Sequence, residues 1–106
     1  MNDHEQARVQ ASVDLIGEFG VNLGFPHSSK VAQSKHSGMR ELRIQHQGRP
    51  YRVLYIFDPH SMAVLLLGGD KAGDNRWYEK NVRLADGIYD DYLAEIEKEK
   101  GDAKND

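Results

Sequence analysis

Apolar positions follow two periods along this chain. Over residues 3–19, Val9, Val13 and Ile16, then Val21, recur every three to five positions and leave a polar opposite face, which predicts an amphipathic helix. Asp3 suits its N-cap, and Gly17 and Gly20 weaken its end. Gly24, Pro26 and the polar run from His27 to Gly38 predict a loop, with a short helical turn at 29–32. From Met39 the period shortens to two. Over residues 39–46, Leu42, Ile44 and His46 face one way and Glu41, Arg43 and Gln45 the other. Residues 51–57 and 62–67 are apolar on both faces, the mark of strands covered on two sides. Gln47-Gly48-Arg49-Pro50 and Asp58-Pro59-His60-Ser61 are turns short enough to predict an antiparallel meander. Gly68 to Asp74 is a polar loop. The helical period then returns, in a short helix at 75–81 and a second one at 83–99 that carries Leu84, Ile88, Tyr92 and Ile96. The expected fold is a single α+β domain over residues 1–100: an N-terminal helix, an antiparallel sheet of three or four strands, and C-terminal helices. Residues 101–106 form a flexible acidic tail.

Composition narrows the function. At 106 residues the chain holds one domain, and with no cysteine it has neither disulfides nor thiolate metal sites. No apolar run is long enough to span a bilayer, and the N-terminus lacks a secretory pattern, so a cytoplasmic protein with no membrane partner is expected. The formal net charge of −3 argues against a general nucleic-acid binder, but the charge is unevenly spread. Residues 35–80 carry eight Lys/Arg against five acids, whereas residues 81–106 carry four against eight. The middle of the chain is therefore where a phosphate would be met.

Four arginines, Arg40, Arg43, Arg49 and Arg52, lie on the first two predicted strands, and Lys71, Arg76, Trp77 and Tyr78 follow the third. Arginine offers a rigid fork of donors that binds phosphate bidentately. Cleaving RNA without a metal requires activating a ribose hydroxyl, stabilising a dianionic phosphorane and protonating the leaving oxygen. Arg43, Arg52, Lys71 and Tyr78 are the catalytic candidates. Arg40, Arg49, Arg76 and Trp77 are the candidates for binding RNA; of the adjacent Trp77 and Tyr78, either of which could stack on a base, Trp77 is expected to pack and Tyr78 to point to the site. The competing reading is a basic face that only binds a partner. The run Gly68-Gly69-Asp70-Lys71-Ala72-Gly73 lacks the Walker spacing and reads as a connection. His4, His27, His36, His46 and His60 show no metal-ligand spacing, so neither metal nor cofactor is expected; His46 is kept as a remote catalytic candidate.

The strings RELR at 40–43, GRPYRVLY at 48–55, LLLGGDKAGDNRWYE at 65–79 and ADGIYDDYL at 85–93 resemble the HigB/RelE superfamily of type II toxins, in its phage-derived HigB-like branch. The resemblance implies a RelE-like fold and a ribosome-dependent, metal-independent mRNA endonuclease that arrests translation. The implied partners are the ribosome, mRNA and a cognate helix-turn-helix antitoxin that forms a hetero-oligomer with the toxin. It places the strand arginine on Arg52, basic residues on Arg43 and Lys71, and the helix tyrosine on Tyr78. The chain departs from the pattern at Glu41, where RelE carries lysine, which leaves the general base unassigned. The loop before Tyr78 is about one residue longer. Family members also commonly begin with a further strand that this sequence lacks, which implies an exposed sheet edge. The alternatives are a ParE-like toxin that binds gyrase and an inactive remnant that binds only antitoxin. On the nuclease reading, Arg52→Ala abolishes growth arrest without disturbing the fold, while Asp102 and Asp106 tolerate charge changes.

Overall fold

The structure is a computed structural model that describes residues 3–104, with side chains through 101. Helix α1 spans Asp3–Phe19 and runs into a 3₁₀ turn at Gly20–Asn22. Strands β1 (Ser28–Lys30), β2 (Arg40–His46), β3 (Arg49–Phe57) and β4 (Ala63–Asp70) follow, then helix α2 (Trp77–Lys104). The strands form one antiparallel sheet in the order β1-β2-β3-β4. The α+β reading holds, with the fourth strand supplied by β1.

The two-sided apolar strands carry two cores. On one face Ile16 of α1 and Leu23 pack with Leu42, Ile44, Tyr51 and Tyr55. On the other, Trp77, Val82, Ala85 and Tyr89 of α2 pack with Val31, Met39, Leu54 and Ile56. Leu54 and Tyr55, adjacent in β3, point to opposite faces and are both fully buried, as a central strand requires. The α1–sheet–α2 sandwich thus covers both sides of β3, which pairs with β2 and β4.

Several boundaries differ from expectation. Residues 28–30 form strand β1, not a helical turn, because β2 offers a free edge: Ser28 pairs with Leu42, and the amide of Arg43 donates to the carbonyl of His27 at 2.8 Å. The β2–β3 turn is only Gln47-Gly48, both at positive φ (51° and 77°), so Arg49 and Pro50 already belong to β3. Strand β4 runs on through Gly68, Gly69 and Asp70, and a bulge at Leu54/Tyr55 shifts its register against β3. The two predicted C-terminal helices are one, since nothing between residues 81 and 83 interrupts the helical period. Helix α2 also continues through Gly101 to Lys104, into the expected tail; the side chains of Asp102 and Asp106 lie outside the described residues. Asp3 is already helical, so the cap of α1 also lies outside them. Among the described residues, β4 pairs only with β3 and forms an edge of the sheet, and no helix is long and apolar enough to cross a membrane.

Candidate active site

The β2–β3 register sets the site. Arg43 lies directly opposite Arg52, and Glu41, two residues before Arg43, projects from the same face. Opposite Arg52 on β4 stands Gly69, which has no side chain. A Cβ there would come within 3.3 Å of Trp77 Nε1, so the glycine admits the indole against the sheet. Trp77 is 4% exposed and belongs to the α2-side core. Its position brings the next residue, Tyr78, over the strand arginines.

These side chains meet at one atom. Glu41 Oε1 accepts hydrogen bonds from Arg43 NH1 at 3.0 Å, Arg52 Nε at 3.1 Å and the Tyr78 hydroxyl at 3.0 Å. Arg52 also donates from NH1 to the carbonyl of Tyr51 at 2.9 Å. Glu41 and Arg52 are 4% and 6% exposed, whereas the Arg43 side chain is about a third exposed. A carboxylate this deep in the protein is tolerated because its charge is matched and its hydrogen bonds are made. Lys71, on the loop leaving β4, holds its ammonium 5.4 Å from the centre of the Tyr78 ring, and its amide donates to the carbonyl of Pro50 at 3.0 Å. The guanidinium of Arg43 sits over the ring of Phe25 at 5.6 Å. Burial, and then the hydrogen bond to Glu41, push the Tyr78 phenol above its ordinary pKa. The phenol keeps its proton, which it donates to Glu41 Oε1.

Arg43, Arg52, Lys71 and Tyr78 thus lie together, as their positions in the sequence anticipate. The expected RNA-binding set does not assemble there. Arg40 projects from the α1 face, where its Nε donates to Ser28 Oγ at 2.9 Å, because the alternation of β2 puts it opposite in sense to Glu41. Arg49 occupies the same α1 face and is paired with Asp70 at 2.5 Å. Arg76 is exposed immediately before α2 and reaches Glu79 only at 4.0 Å. Trp77 is buried, as expected of the one of the two adjacent aromatics that packs, and so offers no face to a base. His46 sits at the hairpin end of β2, with Nε2 buried and without a hydrogen-bond partner among the described residues. Two residues missed from the sequence join the cluster. Glu41 was a departure without a role, though its place two residues before Arg43 puts it on that face. Phe25 sat in a stretch with no period to read.

The fold is a small α+β domain in which α1 and α2 cover opposite faces of one antiparallel sheet, with an arginine-carboxylate-tyrosine cluster on the α2 face. The family model for "Phage derived protein Gp49-like (DUF891)" matches residues 1–90. The chain belongs to this Gp49-like family and resembles HigB toxins. It is 42% identical over 95 residues to "Putative toxin HigB3" of Mycobacterium tuberculosis, covering 89% of this chain and 82% of that protein. It is 38% identical over 94 residues to "Putative toxin HigB2" of the same organism, covering 87% of this chain but only 47% of that protein. No solved structure matches the chain.

Proposed function

We propose that this chain is the toxin of a type II toxin–antitoxin pair and cleaves mRNA on the ribosome, its partner being a cognate antitoxin. The convergence of Arg43, Arg52 and Tyr78 on Glu41 Oε1 carries this reading. The two arginines bind the scissile phosphate by forked hydrogen bonds. Glu41, released from part of its pairing as the phosphate enters, takes the proton of the ribose 2′-hydroxyl. The 2′-oxygen attacks phosphorus and Arg52 stabilises the charge of the phosphorane. The bond to the 5′-oxygen breaks, Tyr78 delivers its proton to that oxygen, and Lys71 above the ring stabilises the phenolate left behind. The products are a cyclic phosphate and a free 5′-hydroxyl.

The test is inducible expression in a bacterium, with growth followed and mRNA 5′ ends mapped. The buried pairing of Arg52 with Glu41 alters the choice of variant. Arg52→Ala removes the more buried of the two guanidinium partners of a buried carboxylate and costs stability, against the expectation that it leaves the fold intact. Tyr78→Phe is the cleaner change, because Glu41 Oε1 keeps both arginine donors. Growth arrest with new cuts inside reading frames, reduced about 10²- to 10⁴-fold in Tyr78→Phe, is the expected result. Arrest without cuts transfers the target to gyrase. No arrest from soluble, folded wild type leaves a protein that only binds antitoxin.

A further inference from the structure

On the ribonuclease reading the site offers donors for a phosphate and holds acid and base groups, but Trp77 is buried and the Tyr78 ring already has Trp77 at 5.3 Å and the Lys71 ammonium at 5.4 Å against it. We propose that Phe25 is the ring that takes a base: a stacking platform for a nucleobase next to the scissile phosphate. The proposal rests on the ribonuclease reading.

Phe25 is 79% exposed, the highest value among the exposed large apolar side chains, and such a ring standing in water is costly unless something covers it in use. Its position is built into the backbone. The amides of His27 and Ser28 both donate to the carbonyl of Gly24 at 3.0 Å, closing the loop around Phe25 and Pro26. The His27 carbonyl then accepts from the amide of Arg43, tying that loop to the strand that carries the phosphate-binding arginine. The Arg43 guanidinium lies over the Phe25 ring, so the same side chain bridges the ring and Glu41. Between them is an open cleft of about 210 Å³, lined by Phe25, Pro26, Arg43, Ile44, Gln45 and Arg52. Arginines on one wall and an aromatic ring on another fit one nucleotide, its phosphate on the guanidinium groups and its base on the ring. The other strongly exposed large apolar side chains, Val21 at 70% and Met62 at 64%, are aliphatic and do not line this cleft.

The experiment compares wild type, Phe25→Leu and Phe25→Trp in two assays. Cleavage of mRNA on translating ribosomes tests the ribonuclease reading through the wild type alone; absence of cuts overturns that reading and this one with it. Binding uses a short labelled RNA with 2′-fluoro riboses, which is not cut, beside the same strand with its bases removed. Stacking predicts that Phe25→Leu, still apolar and of similar size, binds the base-bearing strand about 5- to 100-fold more weakly. Phe25→Trp retains affinity, and all three proteins bind the abasic strand alike. Cuts on ribosomes by Phe25→Leu should lose their preference for the base at the cleavage point. Three results overturn the proposal while leaving the ribonuclease reading intact: Phe25→Leu binding the intact strand like wild type, an equal loss on the abasic strand, or no wild-type affinity for either strand.

Discussion

Glu41 is the residue on which the site turns. An arginine pair at adjacent strand positions repels itself, and the carboxylate between them removes that repulsion. Glu41→Ala leaves Arg52 buried without its partner and should cost about 3–5 kcal/mol, read as a drop in the denaturant midpoint. Glu41→Gln keeps an acceptor oxygen in place, so it should fold with a much smaller loss yet fail to cleave, having no base to take the proton. A folded Glu41→Gln that still cuts RNA would remove the carboxylate from the mechanism. Gly69 is the other sensitive position. With a Cβ already 3.3 Å from Trp77 Nε1, the side chain of Gly69→Val must displace the indole, and we expect a loss of about 1–3 kcal/mol. Its activity should fall by more than its stability implies, because Tyr78 moves with Trp77; activity at full folding equal to wild type would contradict this. At this scale much was legible. The four catalytic candidates follow from strand alternation and from counting along the chain. Glu41 escaped because an acid among arginines expected to meet phosphate looks wrong until its three donors are seen around it. Phe25 escaped because exposure in an aperiodic loop leaves no trace in the pattern.

Elements were legible where apolar periodicity is strong and obscure where tertiary contacts decide. Helix α1 and the β2–β3–β4 meander follow their periods. Strand β1, Ser-Ser-Lys, has no strand-like composition and exists because β2 accepts it. The glycines of β4 looked like loop, yet a Cβ at Gly69 would press on Trp77 of α2 and one at Gly68 on Arg52 and Val53 of β3, both at 3.3 Å. Helix α2 is fastened to the sheet by polar clasps as well as by its core. At one clasp Tyr92 donates to Asp58 Oδ2 at 2.6 Å, while Asp58 Oδ1 accepts the amides of His60 and Met62 and so shapes the β3–β4 turn. At another, Asp90 meets Lys35 and His36, and Ser34 donates to Asp86 at 2.5 Å. The bond from Tyr92, followed by that from the Met62 amide, holds the Asp58 carboxyl below its ordinary pKa. A carboxyl with a depressed folded pKa adds stability above its unfolded pKa, and that stability is lost as pH falls through the folded value. Asp58→Asn should therefore be less stable than wild type at neutral pH, and the gap should close below about pH 4. Thermal melts across that range check it; a gap that persists in acid would mean the carboxylate's charge is not what the clasp uses.

Over the whole molecule, charge is sorted by position. Residues 81–104, rich in acids, lie on a helix of 28 residues, while Arg43, Arg52 and Arg76 sit near where that helix begins. The net charge of −3 is therefore a poor guide to what the site meets. The buried carboxylate has a thermodynamic consequence here. A cationic surface that binds RNA normally sheds its own condensed small ions, which is why such binding weakens steeply in salt. In this protein Arg43 and Arg52 carry a permanent internal counterion, covalently part of β2, that cannot diffuse away. Binding to the site releases fewer free ions than its arginines suggest, so affinity should be comparatively indifferent to ionic strength. Neutralising that internal ion in Glu41→Gln hands its place to ions from solution. The slope of log affinity for an uncleavable RNA against log salt should then steepen by about 0.7 for the charge unmasked. Equal slopes would mean that Glu41 does not serve the arginines as a counterion when they meet RNA.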